Sequence, residues 1–349
     1  MDTLTHIALG ACIGELFTDK QFGKKAMLWG ALAQSIPDID FISTFWLGLT
    51  DELVAHRGFT HSILFAVLIS FFLALTAERF HRPHNISLRR WIFFLGTEVF
   101  VHLLIDAFNN YGTGWFEPFW DKRISFHTIF VVDPVFSIPS GIACLALIFL
   151  PTTHYRRVVW AKLAISLTVV YLAYGLFNKS VVSSDIKRLA AKQHINYTRS
   201  FTTPTPFNTW LFFVVMEQKD GFQIGYRSFF DTEDTLRLHY YPKNEYLLKD
   251  IRDHHEIDNL RKFSQGYYTI EQKGDRLVFN DLRFGQEVGW YDYKQPFAFH
   301  FYLDHPDENR LVVQRGRFAQ WNKTTIESFV RRIEGNRKKS NKTIEQLNN

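Results

Sequence analysis

The chain has 349 residues, enough for two domains, with 46% hydrophobic residues, a mean hydropathy of −0.12 and a formal net charge of +5. Its two cysteines, Cys12 and Cys144, lie in apolar segments without metal-ligand spacing, which excludes a disulfide framework and a thiolate metal site. A pI near 9.0 raises nucleic acid as a partner, but the basic residues cluster beside apolar segments, where a membrane explains them and a nucleic-acid surface does not.

The averages conceal a division. Nearly all long apolar runs fall in residues 1–177, whereas 178–349 is charged, Tyr-rich and turn-rich. The opening MDTLTHIALGACIGELF does not read as a signal peptide, because Asp2 stands where a basic region belongs and His6 and Glu15 interrupt the apolar stretch. Membrane insertion is therefore expected to rely on later spans. Thr3–Phe17 has helical apolar spacing, with Gly10, Ala11 and Gly14 small enough for close helix contact. Ala26–Ile36 is a second short apolar helix, stopped by Pro37, and the SIPDID turn places Asp38 and Asp40 just past its end.

HRGFTHS follows at 56–62, with Thr60 a plausible helix cap for the apolar run Ile63–Ala77. A basic loop, RFHRPHNISLRR, leads to Trp91–Asn110, an apolar helix that carries Glu98, His102 and Asp106 at i, i+4 and i+8, hence along one face. The Gly/Trp/Pro-rich loop 110–135 contains WFEPFW, which reads as an interfacial aromatic belt. Val135–Leu150 and Val158–Phe177 complete about six helical segments.

Beyond Asn178 the pattern changes. Residues 209–231, 267–284 and 297–303 are β-branched and aromatic runs joined by KDG and KGD turns, which predicts antiparallel strands. The expected fold is thus an α-helical polytopic membrane domain (1–178), a mainly antiparallel β extramembrane domain (179–334) and a disordered basic tail (335–349).

Charge counting gives a topology. The loops around Lys20–Lys25, Arg79–Arg90 and Arg156–Lys162 hold ten Lys and Arg residues, against three (Arg57, Lys122, Arg123) in the opposite loops. Positive-inside bias places the first set in the cytoplasm. The same alternation puts the N-terminus, SIPDID, HRGFTHS, the end of the Trp91 helix and the C-terminal half on the outer side. That side then collects His6, Asp38, Asp40, His56, His61, His102 and Asp106, with Glu98 one turn deeper.

Nitrogen and oxygen donors without thiolate suit one or two divalent ions, zinc first, with manganese or iron as alternatives. A buried ion-pair cluster is the competing reading, since ionisable groups on a membrane-like helix must be paired or bound. In the metal reading Asp40 or Glu98 is the general base, Asp40 being the shallower of the two. Arg57 either binds a substrate phosphate or carboxylate or anchors at the headgroups.

The order MDTLTHIALG, SIPDID, HRGFTHS and HLLIDAFNNYGT resembles the membrane-bound metal-dependent hydrolases also called LexA-binding, inner-membrane-associated hydrolases. The resemblance covers about residues 1–175 and leaves out the C-terminal β domain. It implies a multi-pass protein of the bacterial inner membrane with metal-dependent hydrolase activity, similar at a distance to zinc-dependent phospholipase C. It carries the family's motif residues onto His6, Asp38, Asp40, His56, His61, His102 and Asp106.

The expected function is hydrolysis of an ester or phosphoester, on a lipid or lipid-linked substrate, at the outer (periplasmic) face by metal-activated water. The alternative is a metal-stabilised membrane scaffold whose β domain binds a protein or envelope partner. The bilayer is the one partner assigned, nucleic acid is not expected, and the partner of the β domain stays open.

Overall fold

The computed structural model describes residues 1–17, 22–82, 86–249, 251, 254–304, 309 and 320–336. They form two compact units, one of Met1–Leu176, Pro206–Asn208 and Asp253–Phe263, the other of Phe177–Thr205, Thr209–Arg252 and Ser264–Asn349. The sequence boundary at 178/179 is close to where the chain first leaves the helical unit, but two short segments return to it. Most of the proposed tail, 337–349, lies outside the described residues.

The helical unit begins with α1 (Thr3–Phe17) and α2 (Lys24–Ser35), followed by a 3₁₀ segment, Pro37–Phe45. Then come α3 (Leu49–Ala55), a 3₁₀ turn Phe59–His61, α4 (Ile63–His81), α5 (Leu88–Asp106), α6 (Pro134–Phe149) and α7 (Arg156–Lys192), whose residues from Phe177 on belong to the second unit. Local chemistry sets several starts. Ser87 caps α5 by accepting from the Arg90 N–H, and Asp133 caps α6 by accepting from Val135 and Phe136 N–H groups. Pro134 fills the first turn of α6, where its missing N–H is harmless. Thr60 is not the cap of α4: the 3₁₀ turn intervenes, and Ser62 accepts from the Phe65 N–H instead.

α1 and α2 approach backbone to backbone. A Cβ on Gly10 would stand 2.5 Å from the Gly30 carbonyl oxygen, one on Gly14 2.3 Å from that of Ala26, and one on Gly30 2.2 Å from that of Gly10. Only glycine permits this spacing, and it draws α2 in toward α5. Below it, Phe22, Ala33, Leu73, Trp91, Phe94 and Val99 form the apolar core of the unit.

All six apolar segments are helical, but among the described residues only α4 and α7 combine the length and apolarity needed to cross a membrane. α1 and α6 are shorter apolar helices. α5 matches α4 in length but carries the ionisable face. A helix of 37 residues, α7 extends about 55 Å.

In the second unit β1 (Arg199–Pro204), β2 (Leu211–Glu217), β3 (Gly221–Ser228) and β4 (Leu238–Pro242) make an antiparallel meander. Val214 faces Gly225 across β2 and β3. Next in the chain comes α8 (His254–Phe263), which belongs to the helical unit and packs on α3. Asp51 accepts there from His255 and Asn259, each at 2.8 Å.

β5 (Tyr268–Lys273), β6 (Arg276–Gln286) and β7 (Phe297–Tyr302) form a second antiparallel sheet, with Phe279 opposite Phe301 and a register shift between Asp281 and Gln286. The two sheets share a core of Phe213, Val215, Phe222, Ile224, Leu282 and Phe297, while Val182, Ile186 and Leu189 from the end of α7 cover the other side of β2. β2 is consequently apolar on both faces, which is why its sequence does not alternate. The last helix, α9 (Lys323–Ile333), starts with a capping box between Asn322 and Thr325.

Candidate metal centre

Three elements deliver four side chains to one buried point. α5 supplies His102 and Asp106, one turn apart on its inner face. The 3₁₀ segment after α2 supplies Asp38, and the 3₁₀ turn before α4 supplies His61. One donor atom from each lies within 4.8 Å of the other three. His61 Nε2 and His102 Nε2 are 3.2 Å apart. Asp38 Oδ1 lies 3.6 and 3.5 Å from these two nitrogens, and Asp106 Oδ2 3.4 and 3.7 Å. Ligands at about 2.0 Å from a tetrahedral zinc are separated by about 3.3 Å, so the cluster has nearly the required edges.

The hydrogen bonds decide which atoms carry lone pairs. His102 Nδ1 lies 2.6 Å from the Gln34 backbone carbonyl, which can only accept, so Nδ1 holds the proton and Nε2 is free to ligate. His61 Nδ1 lies 3.1 Å from the Thr60 hydroxyl, which itself donates to Asp40 at 3.4 Å; this again leaves Nε2 as the acceptor. Asp106 Oδ2 is buried and has no hydrogen bond; Arg57 Nε lies 3.1 Å away without the alignment for one. Acceptors thus face acceptors at a buried point, with the Met1 ammonium and the Arg57 guanidinium flanking Asp106. Such an arrangement is unfavourable by itself and becomes favourable around a cation. The donor set fits a divalent ion.

The remaining predicted residues surround these four. His6 bridges Gln34 Oε1 at 3.2 Å and the other oxygen of Asp106 at 3.1 Å, and its ring stacks on His102 at 3.8 Å. Asp40 accepts from the Arg57 backbone N–H at 2.6 Å and lies 3.3 Å from His56 Nδ1 and 3.6 Å from His61 Nδ1. His56 is the most accessible of the set, its side chain 37% exposed. Glu98 is fully buried one turn below His102, against Gly30 and Gln34, and neither of its oxygens has a hydrogen-bond partner.

Arg57 is buried. It donates to Asn109 Oδ1 at 2.8 Å and to the Met1 carbonyl at 3.0 Å, and stacks over Tyr111. Its φ of 59° is a left-handed conformation that costs a non-glycine residue about 1 kcal/mol or more. This turn lets one residue present its N–H to Asp40 and its guanidinium to Asp106.

Electrostatics keep the accessible carboxylates ionised. Burial by itself would raise the Asp38 pKa, but the neighbouring His61, His102 and His6 rings hold it well below the usual carboxylate range. Asp40 is lowered in the same way: the His56 hydrogen bond, the neighbouring His61 ring and the Arg57 backbone N–H outweigh its burial.

Sequence reasoning missed Gln34 and Thr60. Gln34 orients His102 through its carbonyl and His6 through its amide, while Thr60 connects His61 to Asp40. Neither residue type signals ligation. The available clue was position, in the last turn of α2 and inside HRGFTHS. The other acidic and histidine side chains of the 110–135 loop serve elsewhere: Asp133 is the α6 cap and accepts from Tyr171 at 2.7 Å, Asp121 is exposed and pairs with Lys262, and His127 bonds Asn110.

Comparison with known proteins agrees with this division of the chain. The model of the YdjM inner membrane protein family matches residues 1–182, the helical part that contains every residue of the centre. The inner membrane protein YbcI of Escherichia coli (strain K12) is 32% identical over 123 residues, 34% of this chain and 69% of that protein. YfhP of Bacillus subtilis (strain 168), described only as uncharacterized, is 31% identical over 157 residues, 42% of this chain and 46% of its own length. No solved structure matches the chain.

Proposed function

The chain belongs to the YdjM inner membrane protein family, and we propose that its helical unit is a metal-dependent hydrolase of an ester or phosphoester. The observation that carries this reading is the convergence of two imidazole lone pairs and two carboxylate oxygens at 3.2–3.7 Å in a buried site. Asp38, His61, His102 and Asp106 would hold the ion, zinc before manganese or iron. When bound there, a divalent ion lowers the pKa of a coordinated water and polarises the bond to be cleaved.

The chain's own groups do the rest. Gln34 and the Thr60–Asp40 relay fix the imidazole tautomers, and His6 and Arg57 hold Asp106 in place. His56 stands at the accessible side with Nδ1 toward Asp40, which leaves Nε2 free to take a proton from the attacking water and return it to the leaving group. Glu98, enclosed behind Gln34, is less suited to that work than the His56–Asp40 pair. Arg57 has its donors engaged inside the protein and serves as a positioning residue in place of a substrate clamp.

The topology that goes with this reading is a multi-pass inner-membrane protein with the centre and the C-terminal unit on the outer side. A second reading rests on one feature. Three of the four ligands are fully buried, and closed sites of this kind also serve structure. In that case the helical unit is a metal-stabilised scaffold, and the C-terminal unit binds an envelope or protein partner.

The deciding experiment is elemental mass spectrometry of the detergent-purified protein, with a His102→Ala/Asp106→Ala variant and a His56→Gln variant alongside. The expected result is one or two equivalents of zinc, manganese or iron in the wild type and none in the double variant. In His56→Gln metal should be retained, while hydrolysis of a phosphodiester or ester reporter falls by roughly 10²–10⁴. A folded, metal-free wild type after incubation with these ions overturns the centre. Retained metal with full activity in His56→Gln overturns the assigned base.

A further inference from the structure

The 3₁₀ segment Pro37–Phe45 does two things at once. Asp38 and Asp40 point inward to the metal centre, while Ile39, Phe41 and Phe45 point outward and are exposed, Phe45 to 79%. Trp46, 66% exposed, continues the row. Two further exposed apolar side chains come from other elements that carry site residues: Leu4, beside the Thr3 hydroxyl that donates to Asp38 at 2.8 Å, and Phe59, two residues before His61.

Asp38 is also the one ligand with any exposure, so its exposed edge marks the mouth of the centre. A soluble protein rarely leaves such a contiguous apolar rim bare.

We infer that this rim is inserted in the bilayer interface, so that the centre opens into the headgroup layer and takes an amphiphile from the membrane. Three observations select lipid as the occupant. The first is continuity: the 3₁₀ segment packs on the Phe59–His61 turn, the turn packs on α4, and α4, a candidate span that starts at Ile63, carries exposed Ile63, Leu64, Val67, Leu68, Phe71 and Phe72. The second is composition. From Phe41 to Thr50 the sequence FISTFWLGLT holds no charge, whereas protein-binding patches carry a polar rim around their apolar centre. The third is residue type, since Trp and Phe beside the end of a span are the side chains that settle at headgroup depth.

Insertion of the rim stands on exposure and position alone. The consequence, a lipid or other amphiphile as substrate, rests on the hydrolase reading.

The test uses the full chain reconstituted in vesicles of phosphatidylethanolamine and phosphatidylglycerol, with and without dibromo-phosphatidylcholine. The emission difference between wild type and Trp46→Phe isolates Trp46. The expected result is that the Trp46 signal loses most of its intensity in brominated vesicles and little to aqueous iodide. Quenching by iodide but not by bromolipid, or protection from both that disappears as protein is diluted in the vesicles, overturns the inference; the latter would mean a second copy covers the rim.

A Phe41→Ser/Phe45→Ser variant should keep its metal and its rate on a water-soluble reporter, yet lose turnover of vesicle-borne esters. Equal rates on both overturn the substrate consequence. Because the quenching result does not depend on turnover, failure of the hydrolase reading and failure of membrane insertion give different outcomes.

Discussion

The ion pairs of the C-terminal unit and the metal centre of the helical unit bury charge in opposite ways. In the C-terminal unit Asp281 and Arg283 are both fully buried on β6, and each satisfies the other through contacts of 2.6–3.2 Å; Asp231 is likewise held by Arg332 at 2.8 Å. Those groups form closed pairs with no remaining demand. At the metal centre, although the Met1 ammonium and the Arg57 guanidinium flank Asp106, His61, His102, Asp38 and Asp106 direct lone pairs at one another, and Asp106 Oδ2 and both Glu98 oxygens have no hydrogen bond. Burial of polar groups by itself therefore says little about function. What distinguishes a site from a structural pair is whether the buried groups complement each other or jointly require something else.

The largest effects should separate these two kinds of burial. Arg283→Ala strands a buried carboxylate and should destabilise the C-terminal unit by about 3–5 kcal/mol, whereas Asp281→Leu/Arg283→Met should be close to neutral. Both should leave metal content unchanged in elemental analysis. Metal loss from either would mean that the units are not independent in this respect.

Chelation should act on the helical unit alone. An ion present at a thousand times its dissociation constant adds about 4 kcal/mol to stability. Stripping it should lower the melting temperature of wild-type protein in detergent and leave an Asp106→Ala variant, already without the ion, unmoved. Acid should act in the same direction as chelation. The folded-state pKa values of Asp38 and Asp40 are depressed, so their contribution is complete above the ordinary value of 3.8 and is lost as pH falls through the lowered values. A melting temperature that rises on acidification below pH 4 would contradict that sign.

Gly30→Val tests the helix contact on which the centre depends. The added Cβ would meet the Gly10 oxygen at 2.2 Å and Glu98 Oε1 at 2.6 Å, and a loss of about 1–3 kcal/mol is expected together with weaker metal binding, since Gln34 would move away from His102. Unchanged metal affinity in this variant would mean that α2 does not position the centre. The smallest effect belongs to Asp51→Asn, which removes an exposed pair with His255 between α3 and α8. Thermal melts should shift by no more than roughly 0.5 kcal/mol.

The sequence was read well where the physics is local. Ile63–Ala77 and Val158–Phe177 declare helices by unbroken apolar length, and KDG and KGD mark hairpins because their turns admit few other residues. His102 and Asp106 could be paired from the helical period alone, since i and i+4 share a face. HRGFTHS could be singled out but not resolved. Nothing in its spacing shows that His61 turns inward to the centre while His56 remains at the surface, because that choice depends on the left-handed turn at Arg57 and on what packs behind it. The return of α8 to the helical unit was equally hidden, being fixed by contacts such as those of His255 and Asn259 with Asp51, more than 200 positions away.

By itself the sequence determined that an apolar helical half precedes an antiparallel β half, that His and Asp residues gather around the ends of the helices, and that the two cysteines lack metal-ligand spacing. Periodicity, hydropathy and residue type are enough for these, because each is a property of a segment. The tertiary structure decided which four of the seven candidate ligands share a point, which ring nitrogen of each histidine is free, and which carboxylate oxygen is left without a hydrogen bond. Those outcomes depend on how closely α2 meets α1 and where the Gln34 carbonyl then falls. Long-range packing fixes such distances to within a few tenths of an ångström, and metal binding depends on distances of that size.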